Sequence, residues 1–179
     1  TIRSAPNYRD MLQRIVETVG QMFEVSSCLL RPFQEGQMAD EWFVYERHDI
    51  KNSGSKNSRL TPDILPFLVW ETTDVEVIQD ITTDNSTHHP ELASRLAAYE
   101  KAGVRSSLIV PLFYRLELIA VLALHQFDLP HVWLDHEVQL VITVADQAAL
   151  ALSQARSYEQ IRALAKREAL VNTITSAIR

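Results

Sequence analysis

Cysteine and histidine are the residues of this chain with the most specific chemistry, and their number and spacing set narrow limits. Cys28 is the one cysteine, so neither an internal disulfide nor a multi-cysteine zinc site is open to the chain. It stands in the run Glu24-Val25-Ser26-Ser27-Cys28-Leu29-Leu30, where a small buried core residue is the expected role. His88 and His89 are adjacent, and His131 lies near Asp135 and His136; neither spacing fits a zinc pattern, and no metal is expected. Serines are plentiful, but no nucleophile elbow, paired acidic motif or histidine-bearing signature accompanies them. The glycines Gly20, Gly36, Gly54 and Gly103 never cluster, which excludes a phosphate-cradling loop and a dinucleotide fingerprint. No catalytic residue is therefore assigned. A ligand that needs no glycine loop, such as a cyclic nucleotide, stays open.

Composition narrows the class further. With 179 residues, 46% hydrophobic and 22% charged, the chain has enough material for one domain with a real core. Its net charge of −6 and lack of a basic stripe repel nucleic acid at long range, so no nucleic-acid partner is expected. No run approaches the length of a membrane span and no signal peptide opens the sequence, so the expectation is a cytoplasmic module without membrane contact.

The elements that would position functional side chains follow from periodicity. Residues Asn7 to Phe23 form an amphipathic helix, with Met11, Leu12, Ile15, Val16 and Val19 at three- and four-residue steps. Strand character follows and is expected to end at Pro32; a second strand covers Glu41 to Arg47, with Trp42 and Val44 on one face and Phe43 and Tyr45 on the other. Residues 49–59 read as a polar loop. Thr61-Pro62-Asp63 is a helix start, with the helix expected to run to about Thr72. A short strand spans Val75 to Ile78, and a helix spans Pro90 to Lys101 with Gly103 as its cap. Ser106–Phe113 and Leu118–His125 read as a β-hairpin turned by the charged run Tyr114–Glu117. A long helix occupies the remainder from about Leu134. Val138, Val141, Ile142, Ala145, Ala148, Ala149, Leu152 and Ala155 line its first half, and Leu164, Val171 and Ile178 repeat at seven in its second. That repeat outruns the needs of a domain of this size and is expected to pack on its own copy in a homodimer.

The hairpin carries a specific resemblance. Val104-Arg105-Ser106 opens it, Val110-Pro111 falls in the first strand, His125-Gln126 ends the second, and Trp133 follows. These elements in this order resemble the end of a GAF domain of the branch that includes phytochromes and cyanobacteriochromes. The resemblance covers about residues 7 to 156 and implies an α+β fold: an antiparallel sheet with the terminal helices on one face and a candidate pocket on the other. It divides the chain into a GAF domain, 1–156, and a helical linker, 157–179, toward a downstream signalling module. It also implies a multidomain bacterial two-component sensor, with a histidine kinase as the full-length protein.

The same resemblance proposes a site. In bilin-binding members a cysteine about ten residues before the valine of the opening forms a thioether with the chromophore; here that position is Ser94. A serine hydroxyl does not supply the thiolate the linkage needs, so the expectation is no cofactor and no covalent bilin. The candidate pocket residues are Trp70, Asp80, Ile81, Ser94, Tyr99 and His125. His125 either points to a ligand or bonds within the core, and Asp80 either accepts from a ligand or caps its loop. The function expected is a non-catalytic sensory and dimerisation module relaying through its last helix, whose relay residues are Leu164, Val171 and Ile178. The alternatives are a receptor for a small molecule (cyclic nucleotide, noncovalent tetrapyrrole or metabolite) and an enzyme resembling free methionine sulfoxide reductase. The last needs several cysteines to complete its cycle.

Overall fold

The computed structural model describes residues 7–47, 59–83 and 90–178. In order, these form helix α1 (Tyr8–Met22), strands β1 (Ser27–Gln34), β2 (Gln37–Met38) and β3 (Phe43–Glu46), and the one-turn helix α2 (Leu65–Leu68). Strand β4 (Glu76–Ile78), helix α3 (Pro90–Ala102), strands β5 (Val104–Tyr114) and β6 (Glu117–Phe127) and helix α4 (Asp135–Ile178) follow. The architecture is α+β. The strands pair antiparallel in the order β2-β1-β6-β5-β4, and β3 shares the outer edge of β1 with β2.

The β5–β6 hairpin forms the centre of the sheet. Its register runs from Val104 opposite Phe127 to Tyr114 opposite Glu117. Arg115 and Leu116 make the turn, both at positive φ (48° and 65°), which matches the twist of the flanking strands. Side chains then alternate between two cores. Leu108, Val110, Leu122 and Leu124 face α1 and α4, together with Leu12, Val16, Val141, Ala145, Ala149 and Leu152. Ile109, Val121 and Ala123 face α2 and α3, where they meet Leu68, Trp70 and Tyr99. We call these the helix face and the pocket face. Cys28 is fully buried on the helix face, and burial pushes its thiol well above the ordinary range, leaving it unreactive.

Helix ends follow local chemistry. The Asn7 side chain accepts the Asp10 N–H at 2.7 Å and starts α1. In α4 the buried residues Val141, Ala145, Ala149 and Leu152 advance by four, four and three, the stripe of a helix lying on a sheet. Full burial of a residue such as Leu152 stabilises the domain by roughly 1.5–3 kcal/mol. Beyond Arg156 every described residue of α4 is exposed.

Several expectations are corrected. β1 continues through Pro32 to Gln34. The Pro32 carbonyl accepts the Ala39 N–H on the outer edge at 2.8 Å, so the proline's missing donor also faces that edge and costs the β6 pairing nothing. The short strand β2 was not foreseen. The helix expected over 61–72 contracts to Leu65–Leu68 after a turn. Val69 is extended, with its carbonyl taken by Arg31 at 3.3 Å, because Val69 and Trp70 are drawn into the pocket-face core. By length and composition alone α4 would be long and apolar enough to cross a membrane, a property that a core helix shares. The sheet buries the apolar stripe of its first half, as expected of a core helix. His88, His89 and most of the 49–59 loop lie outside the described residues.

Candidate functional site

The pocket face carries one polar row across three strands. Ser27 of β1 and Ser107 of β5 flank His125 of β6 in register, and all three are fully buried. Tyr99 of α3, also fully buried, lies above them. Its ring centroid is 6.0 Å from that of His125 with a tilt of 58°. Its hydroxyl is 3.5 Å from Ser107 Oγ, and Ser27 Oγ is 3.5 Å from His125 Nδ1. Both contacts sit at the outer limit of hydrogen bonding. His125 Nε2 is buried with no hydrogen-bond partner among the described residues.

Burial fixes the charge of this row. It pushes the His125 imidazolium down to about 3 and the Tyr99 phenol well above its usual range, so both are neutral near pH 7. A histidine with so low a pKa is too weak a base to activate Ser27 near neutrality, and the row contains no carboxylate to assist it. The arrangement suits hydrogen bonding to an uncharged group. It does not suit nucleophilic catalysis.

The other sequence-predicted residues are dispersed around this row. Trp70 is buried at the rim, with the Arg95 guanidinium 3.7 Å from its ring centroid. Asp80 takes a forked pair of hydrogen bonds from Arg105 (3.2 and 2.8 Å) and caps the Thr82 N–H at 3.0 Å. Arg105, then Thr82, hold its carboxyl well below the carboxylate range. Asp80 is thus a loop anchor joined to the opening arginine of the hairpin. Ile81 is half-buried against the pocket-face core, and its N–H donates to the Arg105 carbonyl at 2.8 Å. Ser94 is exposed on α3, outside the buried row. His131 pairs with Glu137 at 3.0 Å.

The structure therefore brings together Tyr99 and His125 and adds Ser27 and Ser107, which the sequence reading missed. Their signal was present: a polar residue at an inward position of an otherwise apolar strand. Arg31 was also missed. Its Nε donates to the Ala39 carbonyl at 2.8 Å, and its guanidinium lies 4.6 Å from the centroid of the Trp42 ring. A surface cleft lies on the opposite side of the sheet, between Tyr8, Glu35, Glu117 and Arg156.

Short helices over one face of an antiparallel sheet, with the terminal helices on the other, define an α+β domain class. The GAF domain family matches residues 7–152, and the chain belongs to that family. Among solved structures, the photoproduct state of GAF3 from Slr1393 of Synechocystis sp. PCC6803 superposes with a TM-score of 0.61 at 17% identity, covering 87% of this chain and 99% of that one. A domain of a putative two-component sensor histidine kinase from Sinorhizobium meliloti 1021 gives 0.61 at 14% identity, covering 88% and 99%. The far-red absorbing dark state of JSC1_58120g3 with bound biliverdin IXa gives 0.55 at 19% identity, covering 85% and 93%. At these identities the likeness establishes the fold. No curated protein sequence matches the chain.

These structures correct the expectation of no cofactor. JSC1_58120g3 holds a bilin in this same fold, so a serine at position 94 is not grounds for excluding a cofactor from the domain.

Proposed function

We propose that this GAF domain is a non-catalytic sensory and dimerisation module of a cytoplasmic two-component signalling protein. Residues 157–179 serve as its helical linker to a downstream module such as a histidine kinase. The observation that carries this reading is the apolar repeat on the far half of α4. Leu164, Val171 and Ile178 recur at seven and are 64%, 53% and 80% exposed, with Leu170 and Ile174 beside them. A seven-residue apolar repeat on a bare helix is self-complementary, and its natural occupant is the same helix of a second copy. The first half of α4 is seated on the sheet, so a change in sheet packing biases the direction of the whole rod. The fold likeness to the domain of the putative two-component sensor histidine kinase protein from Sinorhizobium meliloti supports the assignment.

Sedimentation tests it. The wild-type chain is expected to be a dimer, and Leu164→Asp or Val171→Asp a monomer with unchanged circular dichroism from the sheet. A wild-type monomer at high concentration, unaffected by either substitution, would sink the proposal.

The buried row favours a second reading, a small-molecule receptor. His125 Nε2 offers a neutral acceptor or donor inside the pocket face, in a setting suited to an uncharged polar edge of a flat ligand. Absorbance and mass spectrometry of the purified protein decide this reading; a protein carrying no retained small molecule and binding none from a panel of nucleotides and tetrapyrroles counts against it. Turnover of methionine sulfoxide would instead favour the enzymatic rival.

A further inference from the structure

One side chain joins the pocket face to the start of α4. β4 ends at Ile78, and the next residue, Gln79, reaches the segment ahead of the helix. Its Oε1 accepts the Trp133 N–H at 2.6 Å, and its Nε2 donates to the Trp133 carbonyl at 3.1 Å. A single amide thus pairs with both backbone groups of one residue, as a neighbouring strand would. Ser106, fully buried in β5, completes the bridge. Its hydroxyl donates to the Gln79 carbonyl at 2.6 Å and accepts the His131 N–H at 2.7 Å.

The two ends of this bridge lie in different cores. Trp133, two residues before α4, is buried in the helix-face core with Val141 and Ala145. The His131 ring stands edge-on to it at 4.6 Å and pairs with Glu137 in the first turn of α4. On the other side, Ile78 and Ile81 belong to the pocket-face core, and Asp80 is clamped by Arg105. Residues 78–82 are therefore held by both layers at once.

We infer that Gln79 is a positioning residue that couples the pocket-face segment 78–82 to the start of α4. The inference rests on the reading of α4 as the relay element. Spatial linkage alone does not establish coupling; a dependence of one end on the other does.

A double-mutant cycle read by NMR-detected hydrogen exchange supplies that test. Gln79→Ala is expected to raise exchange at the Trp133 amide and the first turn of α4 by about tenfold, the loss of roughly one or two net hydrogen bonds. The β5–β6 amides should hold steady. Asp80→Asn, which weakens the Arg105 clamp, is expected to raise exchange at Trp133 in the wild-type background and to add almost nothing once Gln79 is alanine. Gln79→Glu keeps the acceptor for the Trp133 N–H, loses the donor and falls between. Equal factors for Asp80→Asn in both backgrounds, or no response at Trp133 in either, would overturn the coupling and reduce the bridge to a brace. The cycle reads the amides directly, so its failure leaves the sedimentation result standing.

Discussion

The His125 imidazole and the Tyr99 ring lie 6.0 Å apart between the sheet and α3, with His125 Nε2 meeting no hydrogen-bonding group of the described chain. A buried polar atom left in this state costs stability, by about 1–3 kcal/mol. The contact on its other nitrogen, 3.5 Å from Ser27 Oγ, is too long to offset that. His125→Leu, close in volume, is therefore expected to stabilise the domain at pH 7 by about 1 kcal/mol, measured as a rise in urea midpoint at constant slope. A loss of more than that amount would show that Nε2 is satisfied in solution. A gain would mark His125 as a residue whose role lies in binding rather than folding.

Acid should expose the same group. The ordinary histidine value is 6.5, and burial lowers that of His125 to about 3. Between these values the unfolded chain binds a proton that the folded core refuses, so stability is full above about pH 6.5 and falls as pH drops toward 3, at up to about 1.4 kcal/mol per unit. Asp80 acts in a lower window: Arg105 depresses its pKa, so its contribution is present above the unfolded carboxylate value of about 4 and is lost below it. Urea melts at pH 7, 6, 5 and 4.5 separate the two. The wild-type slope across this range should flatten in His125→Leu and persist in Asp80→Asn.

The layered fold was legible because its strongest elements carry simple periods. The Val141, Ala145, Ala149 and Leu152 stripe names one buried face of α4, and the unbroken apolar run from Leu118 to Leu124 names a strand buried on both faces. Trp42 and Val44 also fall on the face opposite Phe43 and Tyr45, as alternation requires. The site was less legible. Ser27 and Ser107 become neighbours of His125 through strand registers that pair residues about a hundred and about eighteen positions apart. The second follows from the hairpin turn, but nothing local encodes the pairing of β1 with β6. Asp80 was readable as a loop cap, but its partner Arg105 appeared only as part of a motif. The 61–72 segment misled because Thr61-Pro62-Asp63 has good helix-start chemistry, while tertiary burial of Val69 and Trp70 overrides it.

Gly20 gives a packing prediction with an unusual sign. Replacing glycine by alanine inside a helix normally stabilises by up to about 1 kcal/mol. Here a Cβ on Gly20 would overlap the Tyr45 ring of β3, against which α1 packs. The clash involves Cγ, Cδ1 and Cε1 along one edge of the ring, which cannot all swing away freely. Gly20→Ala is expected to destabilise by about 1–3 kcal/mol. Adding Tyr45→Ala should recover part of that loss; strict additivity of the two changes would refute the packing argument.

Arg156 sets where α4 leaves the domain. Its Nη2 donates to Tyr8 Oη at 2.9 Å and to the Phe33 carbonyl at 3.2 Å, its guanidinium lies 5.3 Å from the Tyr8 ring centroid, and Nη1 stands 3.6 Å from Glu117. One turn later, Glu159 accepts the Tyr8 N–H at 2.8 Å. α1, β1, the hairpin tip and α4 thus meet at one guanidinium, immediately before the helix becomes fully exposed. Lysine keeps the charge but cannot reproduce the planar fork. Arg156→Lys is expected to cost about 1–2 kcal/mol in global stability, the scale of one or two hydrogen bonds with a charged donor. The larger effect should be angular, because a small tilt at residue 156 is carried along the remaining turns at about 1.5 Å of rise per residue. Spin labels on β6 and at position 171 should therefore show a broader distance distribution in Arg156→Lys, while a label pair within the sheet stays unchanged. Equal broadening of both pairs would mean that the substitution loosens the whole fold, and the fulcrum assignment would be withdrawn.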